Sequence, residues 1–358
     1  MTSADQIIPA GDLRRFAISV LSHAKMPTDV AARTAGYLVD ADLQGIHTHG
    51  TDLLPSYHTG LTNGSLDPAA RPEVIHSHGA VSIVDGHNGL GYETSRIAMD
   101  AALEAARTHG VGVASAKNSN HFGIAGHWTR QAVDAGMIGF TTTNGPPVTG
   151  PWGGRETLFS NNPLSWGIPT IDQPSIIFDI ACTSAARGKI RLAAQNGEEI
   201  PLGWALDADG LPTTDPGAAL NGLLLPFGGH KGSGLAVVDE ILAGALSGSR
   251  TLTDVPAVTM SSQGFHPAWL IGHFFMAFDL AAFGPREEVL KRIDAVVERI
   301  RNSAPAPGFD RVMVPGEGGA NRMQDRLTGG IPMSGASVGK LDELAARLGI
   351  DPPWGETA

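Results

Sequence analysis

The chain has 358 residues, of which 46 are glycine, 42% are hydrophobic and only 17% are charged. That composition fits about two globular domains and excludes a disordered polymer, while the absence of a three-residue glycine period excludes collagen. The 36 acidic side chains outnumber 25 basic ones for a net charge of −11, which disfavours nucleic acid and anionic membranes as partners.

The N-terminus carries Asp5 and no long apolar run, so no signal peptide is expected. Asp12 caps a helix predicted from about Leu13 to Ala24. Pro27-Thr28-Asp29 starts a second, with Ala31, Ala35, Leu38 and Val39 on one face and Gly45 as its stop. A Gly, Asn and Pro cluster from Gly60 to Pro72 marks a boundary or long connection. Strand and helix then alternate: Val81–Val84, a helix over Glu93–His109, Val111–Ala114, a helix over Gly123–Ala135, then strands Ile138–Thr143 and Ile176–Ile180. This rhythm predicts an α/β fold with helices covering a sheet. Leu235–Leu246 reads as a buried helix, Trp269–Phe278 as a strand, Arg286–Arg301 as an amphipathic helix and Lys340–Leu348 as a closing helix. The apolar stretch Ala268–Phe283 contains His273 and Asp279, is too short and polar to span a membrane, and reads as core.

Five segments carry candidate chemistry. Asp42-Leu-Gln-Gly-Ile-His47-Thr48-His49-Gly50 runs on to Leu54-Pro55-Ser-Tyr57. His47 and His49 alternate as on an extended segment, so they point to opposite sides. A His before a Gly, after a helix end, suits a proton donor, although most loop histidines are solvated or capping. Asn118-Ser-Asn120-His121-Phe122-Gly123-Ile-Ala-Gly126 lies where a strand turns into a helix, with Asn120 placed to cap and free N–H groups placed for an anion. Thr143-Asn144-Gly145-Pro-Pro147, Gly150 to Gly154 and Asn161-Asn162-Pro163 suggest an irregular loop lining a site. Asp179, followed by Thr183, Ser184, Arg187 and Lys189, sits at a strand end and suits orienting a His or holding ribose hydroxyls. Gly228-Gly229-His230-Lys231-Gly232-Ser-Gly234 opens a helix with chemistry suited to phosphate, yet is no P-loop. No G-x-G-x-x-G follows a strand, which disfavours a Rossmann domain. Cys182, the sole cysteine, excludes a disulfide framework, fits a reducing cytoplasmic compartment and reads as a buried small side chain.

Taken in order, these segments resemble the malate/L-lactate dehydrogenase type 2 family, whose members act on malate, sulfolactate, ureidoglycolate, diketogulonate and cyclic imino acids. The resemblance runs from about Asp12 to Ile350. It includes Gly203-Trp204-Ala205-Leu206-Asp207, Thr213-Thr214-Asp215-Pro216 and Pro315-Gly316-Glu317. It implies a non-Rossmann three-layer α/β fold, a mixed sheet covered by helices, plus a smaller helical domain. The expected division is a discontinuous, mainly helical domain of residues 1–75 with 310–358, and an α/β cofactor and substrate domain of residues 76–309. It further implies NAD or NADP as cofactor, a homodimer whose two chains build the cleft, and reversible hydride transfer between a 2-hydroxy acid and its 2-oxo acid.

Carried onto this chain, the resemblance makes His49 the acid/base, with Thr48 where Ser is usual, and His121 a second active-site histidine. Asp179 becomes a cofactor contact or the carboxylate that orients a histidine. Asn120, Gly123, Asn144, Asn162, Thr183, Ser184, Lys189, His230, Lys231, Gly316 and Glu317 become cofactor contacts, and no metal is expected. Asn161 stands where Thr is usual. Leu53 stands where many members carry an Arg suited to clamping a carboxylate, which would leave that task to Arg155 or Lys117. The departure keeps open reduction of a cyclic imino acid. The rivals from other classes are a metal hydrolase built on His47, His49 and His121, and a non-catalytic cofactor-binding homologue.

Overall fold

The computed structural model describes residues 5–257 and 265–354. A short strand β1 (Gln6–Ile8) leads into helices α1 (Ala10–His23) and α2 (Thr28–Leu43), each opened by a proline just before its first turn. Two single 3₁₀ turns, His47–His49 and Thr51–Leu53, connect to α3 (Leu54–Thr62). The hairpin β2 (Glu73–His78) and β3 (Val81–Asp85) precedes α4 (Gly91–His109), β4 (Val111–Ser119) and α5 (Gly126–Asp134). Then come β5 (Ile138–Thr143), β6 (Leu164–Ile168), β7 (Ile176–Ile180), α6 (Arg187–Asn196), β8 (Ala205–Leu206), α7 (Pro216–Asn221) and β9 (Leu223–Leu224). Helix α8 (His230–Glu240) passes directly into a π-helical turn, Ile241–Ala245. The chain continues through β10 (Ile271–Phe278), α9 (Arg286–Arg301), α10 (Glu317–Gly329), β11 (Ile331–Met333) and α11 (Gly335–Leu348).

Seven strands form one sheet in the order β2-β3-β4-β10-β5-β6-β7. Only β3 and β4 run parallel, joined by α4; every other pairing is antiparallel, so the sheet is mixed. Gly112 lets α4 lie close on β4, because a Cβ there would sit 1.9 Å from the Ala102 carbonyl oxygen. Strand β10 arrives from far along the chain and inserts at the centre, where its run of apolar residues is buried. One apolar core runs from Leu13, Leu38 and Leu341 of the terminal helices into Met99, Ala114 and Phe275 of the sheet layer.

His273 is fully buried in β10, yet both its nitrogens are matched, by Thr143 Oγ1 and Ser119 Oγ at 2.7 Å each, and its ring stacks on Phe122. Burial pushes His273 and His127 down to about 3. Both therefore take up a proton on unfolding below about pH 6.5, the ordinary histidine value. The shift thus removes stability progressively as pH falls from 6.5 toward 3, by about 1.4 kcal/mol per pH unit for a fully buried His273. Asp239 and Asp179, raised to about 7 and about 6, act in the opposite sense, but His49 and His121 are lowered as well, so the histidine side prevails between pH 6.5 and 5. We expect the urea midpoint to drop between pH 6.5 and 5, and His273→Gln to flatten that slope. A midpoint independent of pH over this range would contradict the assignment.

Two expectations need correction. Helix α5 begins at Gly126 rather than Gly123, because residues 120–125 form a loop held by Asn120. Helix α8 is not buried as its apolar residues suggest. It turns Ser233, Asp239 and Glu240 inward and leaves Leu235, Val237 and Val238, with Ile241 of the following turn, on the surface. The polar residues face a buried polar layer, so the apolar side lacks cover within the described residues.

Candidate active site

The last turn of α2 organises the first histidine segment. Asp42 is fully buried, and its carboxylate accepts from the Thr51 N–H at 2.9 Å and the Thr51 hydroxyl at 2.7 Å, and meets His47 Nδ1 at 2.8 Å. These bonds pull the chain back into a 3₁₀ turn where an extended segment was expected. Gly50 is required, since a Cβ would lie 2.1 Å from Asp42 Oδ1. Arg326 of α10 donates to the Asp42 carbonyl and reaches His47 Nε2 at 3.4 Å. Both His47 nitrogens are thus taken, which removes it from any shared site with His49. Among the described residues no group of three or more His, Cys, Asp or Glu side chains is placed to hold a metal ion.

His49 meets His121 instead. Their rings stack with centroids 5.5 Å apart and planes 29° apart, both partly open to solvent. Thr48 Oγ1 lies 3.1 Å from His49 Nδ1. His121 Nδ1 lies 2.6 Å from the Tyr57 hydroxyl, and Trp269 sets its edge against the ring. Burial pushes His49 down to about 4 and His121 well below its ordinary value, the latter with added repulsion from His49. Both rings are therefore neutral at pH 7.

The segments singled out for a dinucleotide pack against one another, and one of them reaches the histidine turn. The Thr183 and Pro226 segments bridge, Ser184 N–H donates to the Leu225 carbonyl, and Phe227 N–H to that of Cys182. Gly316, at φ +90°, packs on β7 so tightly that a Cβ would lie 2.9 Å from the Ile177 carbonyl oxygen. The Thr48 methyl lies 3.9 Å from where a Cβ of Gly188 would stand, so the histidine turn abuts the start of α6. Gly228 and Gly229, both at positive φ, open α8. Lys189 and Lys231 stand exposed at the starts of α6 and α8 with no acidic partner among the described residues. Two helix N-termini, each with an unpaired lysine, fit the phosphates of a dinucleotide. His230 is exposed beside them.

Several expected contacts have other tasks. The Asp179 carboxylate accepts the Gly126 N–H at 2.7 Å, at the start of α5, and bonds no histidine; burial raises it to about 6. The Asn120 amide holds Asn88, the Gly89 carbonyl and the Trp269 N–H, which explains why it caps no helix. Asn144 and Asn162 donate to the buried Glu240 at 3.0 Å each. The Glu317 carboxylate is held by Arg301, Arg311 and the Val314 N–H. These side chains shape the loops around the cleft. Cys182 is buried against Asp239, its thiol pushed well up by burial, as suits an inert side chain. Leu53 is buried, and Arg155 packs along Gly210 in a surface turn. Asp42, Tyr92 and Glu240 carry roles that sequence reasoning did not assign. An acidic pair inside an apolar helix was the available signal for Glu240.

The model of the malate/L-lactate dehydrogenase family matches residues 8–342. The malate dehydrogenase of Pyrococcus abyssi is 35% identical over 351 residues, covering 96% of this chain and 95% of the relative. The solved structure of the sulfolactate dehydrogenase of Methanocaldococcus jannaschii superposes with a TM-score of 0.89 at 35% identity, covering 97% of this chain and 98% of that one. A Delta(1)-pyrroline-2-carboxylate reductase of Burkholderia ambifaria is 32% identical over 280 residues, covering 78% of this chain and 82% of the relative.

Proposed function

This chain belongs to the malate/L-lactate dehydrogenase family, an oxidoreductase acting on 2-hydroxy acids, and from that premise we propose how its own residues divide the work. The observation that carries the proposal is the stacked His49–His121 pair set against the start of α6. A bound nicotinamide dinucleotide supplies or accepts the hydride. Lys189 and Lys231 hold its phosphates, and Thr183, Ser184 and the backbone at Gly316 line its path. His49 moves the proton. In oxidation its neutral ring takes the proton of the substrate hydroxyl; in reduction it returns that proton to the developing alkoxide. Thr48, against His49 Nδ1, steadies the ring.

Titration with NADH and with NADPH, followed by fluorescence, then turnover on a panel of 2-oxo acids, tests the reading. Silence from both cofactors at millimolar concentration would sink it. Leu53 in place of a clamping Arg, together with the reductase relative, favours a second reading, reduction of the C=N bond of a cyclic imino acid. Cyclic imines in the same panel separate the two. Lys231→Ala should weaken dinucleotide binding about tenfold while leaving the thermal midpoint unchanged, in keeping with one charge-assisted hydrogen bond.

The assembly is a homodimer seated on the outward apolar side of α8, and a chain whose one cysteine forms no intrachain disulfide fits the cytoplasm. Val238, half exposed in the middle of that side, is the position to test. Val238→Asp should shift sedimentation from a dimer to a monomer, because a carboxylate in an apolar interface is left without a partner. A wild-type chain that sediments as a monomer would refute the dimer.

A further inference from the structure

We propose that Tyr57 and Tyr92 are positioning residues that fix which nitrogen of His121 carries its proton, making His121 a hydrogen-bond donor toward the cleft and leaving proton transfer to His49. The catalytic half of this inference rests on the dehydrogenase reading; the tautomer itself does not.

Tyr57 comes from α3 and Tyr92 from the first turn of α4, and both are buried behind the histidine pair. The Tyr57 hydroxyl lies 2.6 Å from His121 Nδ1 and 3.1 Å from the Tyr92 hydroxyl. The backbone N–H of Gly123 also points at His121 Nδ1, at 3.4 Å. A backbone N–H only donates, so Nδ1 is an acceptor. A neutral imidazole carries one N–H, which must then be on Nε2. With Nδ1 accepting, the Tyr57 proton points to the ring, and the Tyr57 oxygen is free to accept from Tyr92. The result is a one-way chain from Tyr92 to Tyr57 to His121.

The backbone is pressed onto the same phenol. Gly123 stands at φ +80°, and a Cβ there would lie 2.7 Å from the Tyr92 ring. Burial pushes both phenols up, so neither loses its proton at neutral pH. To act as a base, His121 would have to take a proton on Nδ1, where two donors already point. Its Nε2–H can only donate, which suits holding the oxygen of the substrate. His49 has no such constraint, since its Nδ1 faces a hydroxyl that can donate or accept.

The test is a long-range ¹H–¹⁵N spectrum of enzyme labelled at histidine, with His121→Gln identifying the His121 signals. The wild type should show His121 as the Nε2–H tautomer from pH 5.5 to 8.5. Tyr57→Phe should show mixed tautomers and about tenfold lower kcat, the scale of one hydrogen bond, with the dinucleotide KM unchanged. Its acid limb of kcat against pH should gain an ionisation absent from the wild type. Tyr92→Phe, which keeps the Tyr57–His121 bond, should move the same readouts less. An Nδ1–H tautomer in the wild type overturns the proposal, and that spectrum needs no variant to fold other than the one used for identification. A single tautomer with wild-type kcat in Tyr57→Phe overturns it equally. If turnover is found on no substrate, the spectrum still decides the tautomer, so the two failures are distinguishable.

Discussion

His49→Ala should lower turnover by about 10²- to 10⁴-fold, the range of a positioned acid or base, while dinucleotide binding measured by fluorescence changes little. The reason is the setting of the ring. His49 sits against His121, and no cation contributes to its lowered pKa of about 4. Oxidation of a 2-hydroxy acid needs the neutral ring, which prevails above about pH 4. Its kcat/KM should therefore be flat, as far as this group is concerned, from pH 5 to 8. Reduction of the 2-oxo acid needs the protonated ring, so its kcat/KM should decline as pH rises over the same interval. His121→Ala removes a donor rather than the proton carrier and should cost about tenfold to a hundredfold, the scale of one or two hydrogen bonds. If His49→Ala stays within a few-fold of the parent while His121→Ala abolishes turnover, the two roles are reversed. Steady-state rates in both directions across pH, on both variants, decide the matter.

Parts of this arrangement were legible in the sequence for physical reasons. Strands β5 and β7 and helix α9 fall where periodicity puts them, because local patterning and turn residues agree there. The histidine turn and the glycine-rich start of α8 were legible as chemistry because special backbone positions must be written in special residues. What failed was whatever depends on distant partners. Periodicity marks an apolar helical side without saying what covers it, so the outward side of α8 read as core. The insertion of β10 between β4 and β5 is set by tertiary pairing that no local run encodes. The loop-to-loop bonds of Asn120, Asn144 and Asn162 had no signal either, because a loop amide that holds a ligand and one that holds another loop have the same sequence. The lowered pKa of His49 has no local signal, because desolvation comes from residues scattered along the chain.

Those asparagines lead to the largest expected effect on stability, at Glu240. Its buried carboxylate gathers three loops: Oε1 accepts from Asn144 Nδ2 at 3.0 Å and the Leu252 N–H at 2.8 Å, and Oε2 accepts from Asn162 Nδ2 at 3.0 Å. Asn162 and Leu252 both hold positive φ, at 33° and 47°, which costs a side-chain-bearing residue about 1–3 kcal/mol unless its surroundings fix it. The π-helical turn that follows brings Gly244 against Asn144, where a Cβ would stand 2.8 Å from Nδ2. Glu240→Ala leaves the Leu252 N–H and the Asn162 amide without a buried acceptor, so we expect a loss of about 3–5 kcal/mol in urea denaturation. Glu240→Gln separates geometry from charge. Asn162 Oδ1 is buried with no partner among the described residues, so turning that amide over sets the oxygen opposite the new NH₂ group. The amide also removes a formal charge from the interior, which makes the exchange close to neutral, within about 1 kcal/mol. Equal destabilisation by Gln and Ala would mean that the hub needs the charge itself. A neutral Ala would mean that the three loops hold their shape without it.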